Sequence, residues 1–221
     1  MIKKITLLFS MLLVSCIQNS ESKNNYLDYS SKEDKLSGGV KIIQIQTPSG
    51  KFNVWTKRIG NNPTKKVLLL HGGPGANHEY FQAADSYFPK ESIEYYYYDQ
   101  LGSSFSDKPK DNSLWTIERF VDEVEQVRLG LGLNENNFII LGHSWGGILG
   151  IEYALKYQDK MKALIISNMV PSIPDYIKYA NEVLAPKLDP IVLKKIREYE
   201  SAEDYTNTEY LSLIEEYYYP K

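Results

Sequence analysis

Residues 137–155 limit the fold of this chain more than any other stretch. Asn137-Phe138-Ile139-Ile140-Leu141 is a short apolar run between polar residues, the pattern of a buried strand. Gly147-Ile148-Leu149-Gly150-Ile151-Glu152-Tyr153-Ala154-Leu155 reads as a helix laid on a sheet. Between them stands Gly142-His143-Ser144-Trp145-Gly146, a G-x-S-x-G sequence. Strand, sharp turn and helix in that order give the pentapeptide the geometry of a nucleophile elbow. The turn is tight, so Gly142 and Gly146 stand where a Cβ would clash. Ser144 is then exposed at the top of the sheet, near the positive end of the following helix. The Trp145 N–H faces any oxyanion formed there.

The rest of the composition is that of an ordinary soluble globular chain. It has 221 residues, 43% hydrophobic and 24% charged, enough for one domain with a full core or most of a larger one. A net charge of −3 gives no reason to expect nucleic acid as a partner. The single cysteine, Cys16, excludes an intrachain disulfide, so packing must supply the stability.

Cys16 matters by its position. A basic start, Met1-Ile2-Lys3-Lys4, leads into an apolar run over residues 5–14, too short to span a bilayer but suited to a signal-peptide core. The run ends Leu13-Val14-Ser15-Cys16, which resembles the lipobox of bacterial lipoproteins. That resemblance implies lipidation of Cys16 and a lipid-anchored protein of the bacterial cell envelope. Attachment of more than one acyl chain makes such an anchor firm. Residues 17–37 are polar and charged, and read as a tether.

From residue 38 the pattern becomes that of a folded domain. Residues 38–59 read as a hairpin turning at Thr47-Pro48-Ser49-Gly50. Residues 66–70 form a third strand, apolar enough to be central. His71-Gly72-Gly73-Pro74-Gly75 follows it, a loop that can aim a backbone N–H at an oxyanion, with Gly73 the expected donor. Residues 78–88 are expected to be helical and residues 93–98 a fourth strand. That strand ends in Asp99-Gln100-Leu101-Gly102, where Asp99 is expected to hold the loop through backbone N–H groups. Residues 115–131 are the clearest amphipathic helix, with Ile117, Phe120, Val121, Val124, Val127 and Leu131 on one face. Glu118, Asp122 and Glu125 fall on the solvated side. A sixth strand lies within residues 161–168.

Strands alternating with helices predict an α/β fold with a mostly parallel, doubly wound sheet. Ligands in such sheets bind at the carboxyl ends of the strands. The His71 loop, the Asp99 loop and the Ser144 elbow converge at those ends, which points to a hydrolase site. From residue 171 the character changes. Three stretches rich in Lys, Glu and Tyr (177–188, 191–199, 208–218) read as a helical cap inserted after the sixth strand. The expected divisions are therefore a lipoprotein-type signal peptide (1–16), a tether (17–37), a core (38–170) and a partial cap (171–221).

His71-Gly72-Gly73-Pro74-Gly75, Asp99-Gln100-Leu101-Gly102 and Gly142-His143-Ser144-Trp145-Gly146-Gly147 together resemble the proline iminopeptidases, or prolyl aminopeptidases, of the α/β-hydrolase fold. The resemblance runs from about residue 38 to the C-terminus. It implies a serine aminopeptidase that releases N-terminal proline or another small N-terminal residue, with a small peptide or amino-acid amide as substrate. Ser144 is then the nucleophile, and Gly73 and Trp145 supply the oxyanion-hole N–H groups. His71, Gly72, Pro74, Gly75, Asp99, Gln100, Gly102, Gly142, His143 and Gly146 have structural places in the site loops. No metal and no organic cofactor is required. Leu101 stands where many relatives have Arg, and Ser104 where many have Gly.

The same resemblance exposes a gap. In this fold the triad runs Ser, then Asp or Glu, then His, yet His71, His78 and His143 are the only histidines and none follows Ser144. Asp175 is the nearest acid to propose, although the family's acid lies later. Glu209, Glu215 and Glu216 read as surface charges. The expectation is a C-terminally truncated hydrolase lacking its last strands, with the sixth strand left as an open edge and with weak activity at most. An esterase or amidase on the same scaffold, and a non-catalytic anchored binding protein, are the alternatives.

Overall fold

A computed structural model describes Tyr26 and residues 37–220. The signal peptide, Cys16 and all of the tether up to residue 36 except Tyr26 lie outside the described residues. Tyr26 rests on the domain: its hydroxyl donates to the Ile93 carbonyl at 3.1 Å, and its ring fills the space a Gly60 Cβ would need.

Six strands form one sheet: β1 (Val40–Thr47), β2 (Gly50–Ile59), β3 (Lys66–Leu70), β4 (Glu94–Asp99), β5 (Phe138–His143) and β6 (Ala163–Ser167), in the order β1-β2-β4-β3-β5-β6. β1, β2 and β4 pair antiparallel, whereas β4, β3, β5 and β6 run parallel. The parallel strands of the centre carry the near-continuous apolar runs that two covered faces demand. Val67, Leu68, Leu69 and Leu70 are all buried. The hairpin turns where expected, with the Thr47 hydroxyl bonded to the Gly50 carbonyl at 2.8 Å.

One face is covered by two helices, α1 (Ile117–Gly130) and α2 (Trp145–Tyr157), over Leu68, Leu70, Tyr96, Tyr98 and Ile140. Phe120, Val121, Val124 and Val127 of α1 face this core as their spacing predicts. On the other face Phe81 and Phe88 pack on Val67, Leu69, Tyr95 and Tyr97. The segment carrying them is not the expected α-helix. It forms two 3-10 stretches, Glu79–Ser86 and Phe88–Glu91, with no side-chain cap. Tertiary ties near its start, from His78 to Asp99 and from Tyr80 to Gly72, hold it in the tighter winding.

Two details of the amphipathic helix differ from the sequence reading. It starts at residue 117 because the Thr116 hydroxyl caps it, accepting from the Arg119 N–H at 3.3 Å. Ile117 therefore sits in the first turn and points outward, 37% exposed. Glu125 is not merely solvated: it holds Arg128 through two bonds of 2.7 Å and accepts from the Tyr153 hydroxyl at 2.7 Å.

β6 is bordered by β5 on one side and by no other described strand. Ile165 and Ile166 are almost half exposed. After it the chain is helical: α3 (Ile173–Tyr179), α4 (Pro190–Ser201) and α5 (Thr208–Leu213), with π-helical and 3-10 turns between and after them. α3 starts four residues earlier than expected, since the Ser172 hydroxyl caps it and Pro174 fits its first turn.

Candidate active site

Ser144 is the single residue between β5 and α2. Its φ of 54° and ψ of −123° lie where side chains rarely go, a strain of about 1–3 kcal/mol held by the surroundings. The holding contacts are visible. Ser144 N–H donates to the Ser167 carbonyl at 3.0 Å, and the Ser144 carbonyl accepts from Gly147 N–H at 2.8 Å. Gly146 must be glycine, because a Cβ there would lie 2.0 Å from the Leu70 carbonyl oxygen. The first turn of α2 is thereby pressed on the end of β3. The N–H groups of Trp145 and Gly146 have no acceptor within the helix, as at any helix start, and the positive end of α2 falls at Ser144.

β3 leads directly into the second loop. A Cβ on Gly72 would sit 3.0 Å from the Ser144 Cβ and 3.4 Å from its Oγ, so this loop lies against Ser144. Gly72 N–H donates to the Tyr80 hydroxyl at 2.7 Å. Gly73 has φ 116°, the Gly73-Pro74 bond is cis, and residues 73–75 are exposed.

His71 is fully buried and its protonation is legible from its partners. Nε2 lies 3.0 Å from the Gln100 backbone N–H, which can only donate, and Nδ1 lies 2.9 Å from the Gly72 carbonyl, which can only accept. The ring is therefore neutral with its proton on Nδ1. Burial is the main reason its pKa lies below the ordinary 6.5. Both nitrogens are occupied, so His71 holds loops together and has no nitrogen left for Ser144.

The third loop is tied to the other two. Asp99 is buried, and its carboxylate accepts from His78 N–H at 3.0 Å, His78 Nδ1 at 2.8 Å and Phe105 N–H at 3.2 Å. Gln100 spans the site: its Nε2 donates to the His71 carbonyl at 3.0 Å, and its Oε1 accepts from Trp145 Nε1 at 3.0 Å. One side chain thus joins the loops carrying Gly73 and Trp145. His143, next before Ser144, places Nδ1 3.2 Å from the Tyr80 hydroxyl and its ring against Tyr80 and Phe81. All three histidines therefore have structural partners.

Sequence reasoning missed Glu123. It is buried beneath the third loop, where Oε1 accepts from Leu101 N–H at 2.8 Å and from the Tyr98 hydroxyl, while Oε2 pairs with Arg119. Burial lowers the Arg119 pKa to about 10, so it stays charged at neutral pH. Glu123 lies three residues after Phe120 and four before Val127, a carboxylate on the apolar stripe, and that was the available signal. By contrast, Asp175 is an exposed first-turn residue of α3, which fits a favourable helix-dipole position. Glu209 is exposed and bonds to Lys195 and Tyr199; Glu215 and Glu216 are exposed. Among the described residues no group of three or more His, Cys, Asp or Glu is placed to hold a metal, and no helix is long and apolar enough to cross a membrane.

The parallel sheet, the strained serine between strand and helix, and the glycine loop against it define a class, and the chain belongs to it: the α/β-hydrolase fold family matches residues 65–189. Within that class it is similar to the proline iminopeptidase of Flavobacterium johnsoniae, 57% identical over 173 residues that make up 78% of this chain and 58% of that protein. The proline iminopeptidase of Chitinophaga pinensis is 53% identical over 180 residues, 81% of this chain and 60% of that protein. The crystal structure of the Mycobacterium smegmatis proline iminopeptidase matches with a TM-score of 0.68 at 27% identity, covering 80% of this chain and 59% of that one. The resemblance carried by the three motifs therefore extends along the chain. The chain spans about three fifths of the length of the curated relatives it matches.

Proposed function

We propose that this chain carries the nucleophile and oxyanion half of a serine hydrolase that releases N-terminal proline, or another small N-terminal residue, from peptides. The observation that carries the reading is the strained Ser144 held against Gly72, in a chain more than half identical to proteins named proline iminopeptidase. Ser144 Oγ attacks the carbonyl of the N-terminal residue. The backbone N–H groups of Gly73 and Trp145 take the developing negative charge. The acyl-enzyme is then released by water.

A serine needs a base for this; His71 has both ring nitrogens taken, His78 and His143 have Nδ1 on Asp99 and Tyr80, and among the described residues no hydrogen bond joins any of the three to Ser144. The 221-residue chain should therefore turn over a proline arylamide only weakly. The test is to supply the remaining two fifths of the F. johnsoniae relative as a separate polypeptide. Recovered cleavage of proline arylamide, lost in Ser144→Ala, supports the reading. Recovered activity that prefers short acyl esters selects an esterase instead. No recovery, with a folded complex, favours an anchored binding protein, the reading that the engaged histidines support.

We also propose an envelope location through lipidated Cys16, on the strength of the Leu13-Val14-Ser15-Cys16 sequence. Metabolic labelling with palmitate should mark the protein, and label that persists in Cys16→Ser would remove the proposal.

A further inference from the structure

Beside the oxyanion loop lies a cleft of about 450 Å³ that the proposed chemistry does not use. Pro74 and Gly75, next after Gly73, form one wall. Trp145, next after Ser144, forms another, with Leu101, Phe120 and Trp115 completing it. The aromatic wall is built rather than incidental. Trp145 is held by Gln100 and meets the Phe120 ring edge-on at 5.6 Å. Phe120 stacks on Trp115 at 6.2 Å, and the Arg119 guanidinium lies 3.7 Å from the Phe120 ring centre. Gly102 makes room for Trp115, since a Cβ there would lie 2.8 Å from the indole. Even so, Trp115 is 41% exposed and Ile117 37% exposed. A rigid apolar wall is left open to solvent.

Charge decides which part of a peptide suits this cleft. The charged residue lining it is Lys108, and no carboxylate lines it. An N-terminal ammonium finds no partner there, whereas a carboxylate does. We propose that the cleft binds the residue after the scissile bond: an apolar side chain against Trp115, Phe120 and Trp145, with that residue's free carboxylate at Lys108. The favoured ligand is a dipeptide with an apolar second residue. The assignment rests on the peptidase reading, but its test reads binding and needs no turnover.

Tryptophan fluorescence of the Ser144→Ala protein is titrated with prolyl-phenylalanine, its C-terminal amide and prolyl-glycine. Two of the three tryptophans line the cleft. Prolyl-phenylalanine should bind about tenfold or more tighter than prolyl-glycine, as burial of an aromatic side chain implies. The amide should bind about threefold or more weaker than the free acid, and Lys108→Met should remove that difference alone. Trp115→Ala should erase most of the phenylalanine preference. Ile117→Asn, on an exposed helix start, should reduce it with the circular dichroism unchanged. Equal binding of the two dipeptides, absence of binding by either, or a preference that survives both wall variants overturns the proposal. Discriminating binding without hydrolysis in the complemented enzyme counts against the peptidase reading and leaves the cleft standing.

Discussion

The sheet and the helical segment after it hold themselves together by different means. In the sheet region Leu68, Leu69, Leu70, Tyr95, Tyr98, Phe138 and Ile140 are completely removed from water, and every strand except β1 is bonded to a neighbour distant in sequence. In residues 173–218 the buried apolar side chains are Ala185, Leu188 and Ile196. Ile173, Ile177, Ile191 and Leu211 are exposed, and the helices surround a cavity of about 470 Å³ bordered by Tyr176, Tyr210 and Ile196. A helix satisfies its own backbone groups, so it can form around a small core, whereas a strand cannot. Most helical stability nevertheless comes from packing. The difference teaches that the site loops stand on the rigid region, and that the two regions should differ in local stability.

The largest effect should follow from Gly146→Val. Its branched side chain would be forced into the Leu70 carbonyl, which should cost about 3 kcal/mol or more. Urea unfolding followed by tryptophan fluorescence reads it, and a loss below half of that value means the elbow is not clamped to β3. Acidification comes next. The folded pKa of His71 is lowered from 6.5. Between that value and 6.5 the unfolded chain binds more protons, so stability falls as pH drops below 6.5, by at most about 1.4 kcal/mol per pH unit from this one group. The slope of unfolding free energy against pH should be shallower in His71→Gln, and an unchanged slope removes His71 as its source. The smallest effect is expected in the helical segment. Asp189 caps α4 by accepting from Ile191 N–H at 2.8 Å, so Asp189→Ala should weaken that helix by about 1 kcal/mol. Hydrogen exchange should accelerate in residues 190–201 alone; equal acceleration in β3 and β5 would show that the two regions open as one unit.

Much of this architecture was legible beforehand. The six strands were readable because apolar runs bounded by turn residues are local signals. The Tyr95-Tyr96-Tyr97-Tyr98 run reads as a strand by its aromatic content, and all four are buried in β4. The misread elements share a cause. Residues 78–88 are expected to be helical, but the winding there is set by contacts from His78 and Tyr80 to other loops. Ile117 matched the apolar stripe, but the position of the Thr116 cap turned it outward.

The chain by itself determined the elbow, the glycine loop and the alternation of strand and helix, since these depend on spacing and on residues adjacent in sequence. Only the tertiary structure decided that Gln100 bridges the loops carrying Gly73 and Trp145, that His71 is neutral with its proton on Nδ1, and that Glu123 lies beneath the third loop. Gln100 finds His71 29 positions away and Trp145 45 positions away, and Glu123 meets Leu101 across 22. Partners so distant are chosen by how the strands stack, and a hydrogen bond or a proton position follows from the partner's place in space rather than from its place in the chain.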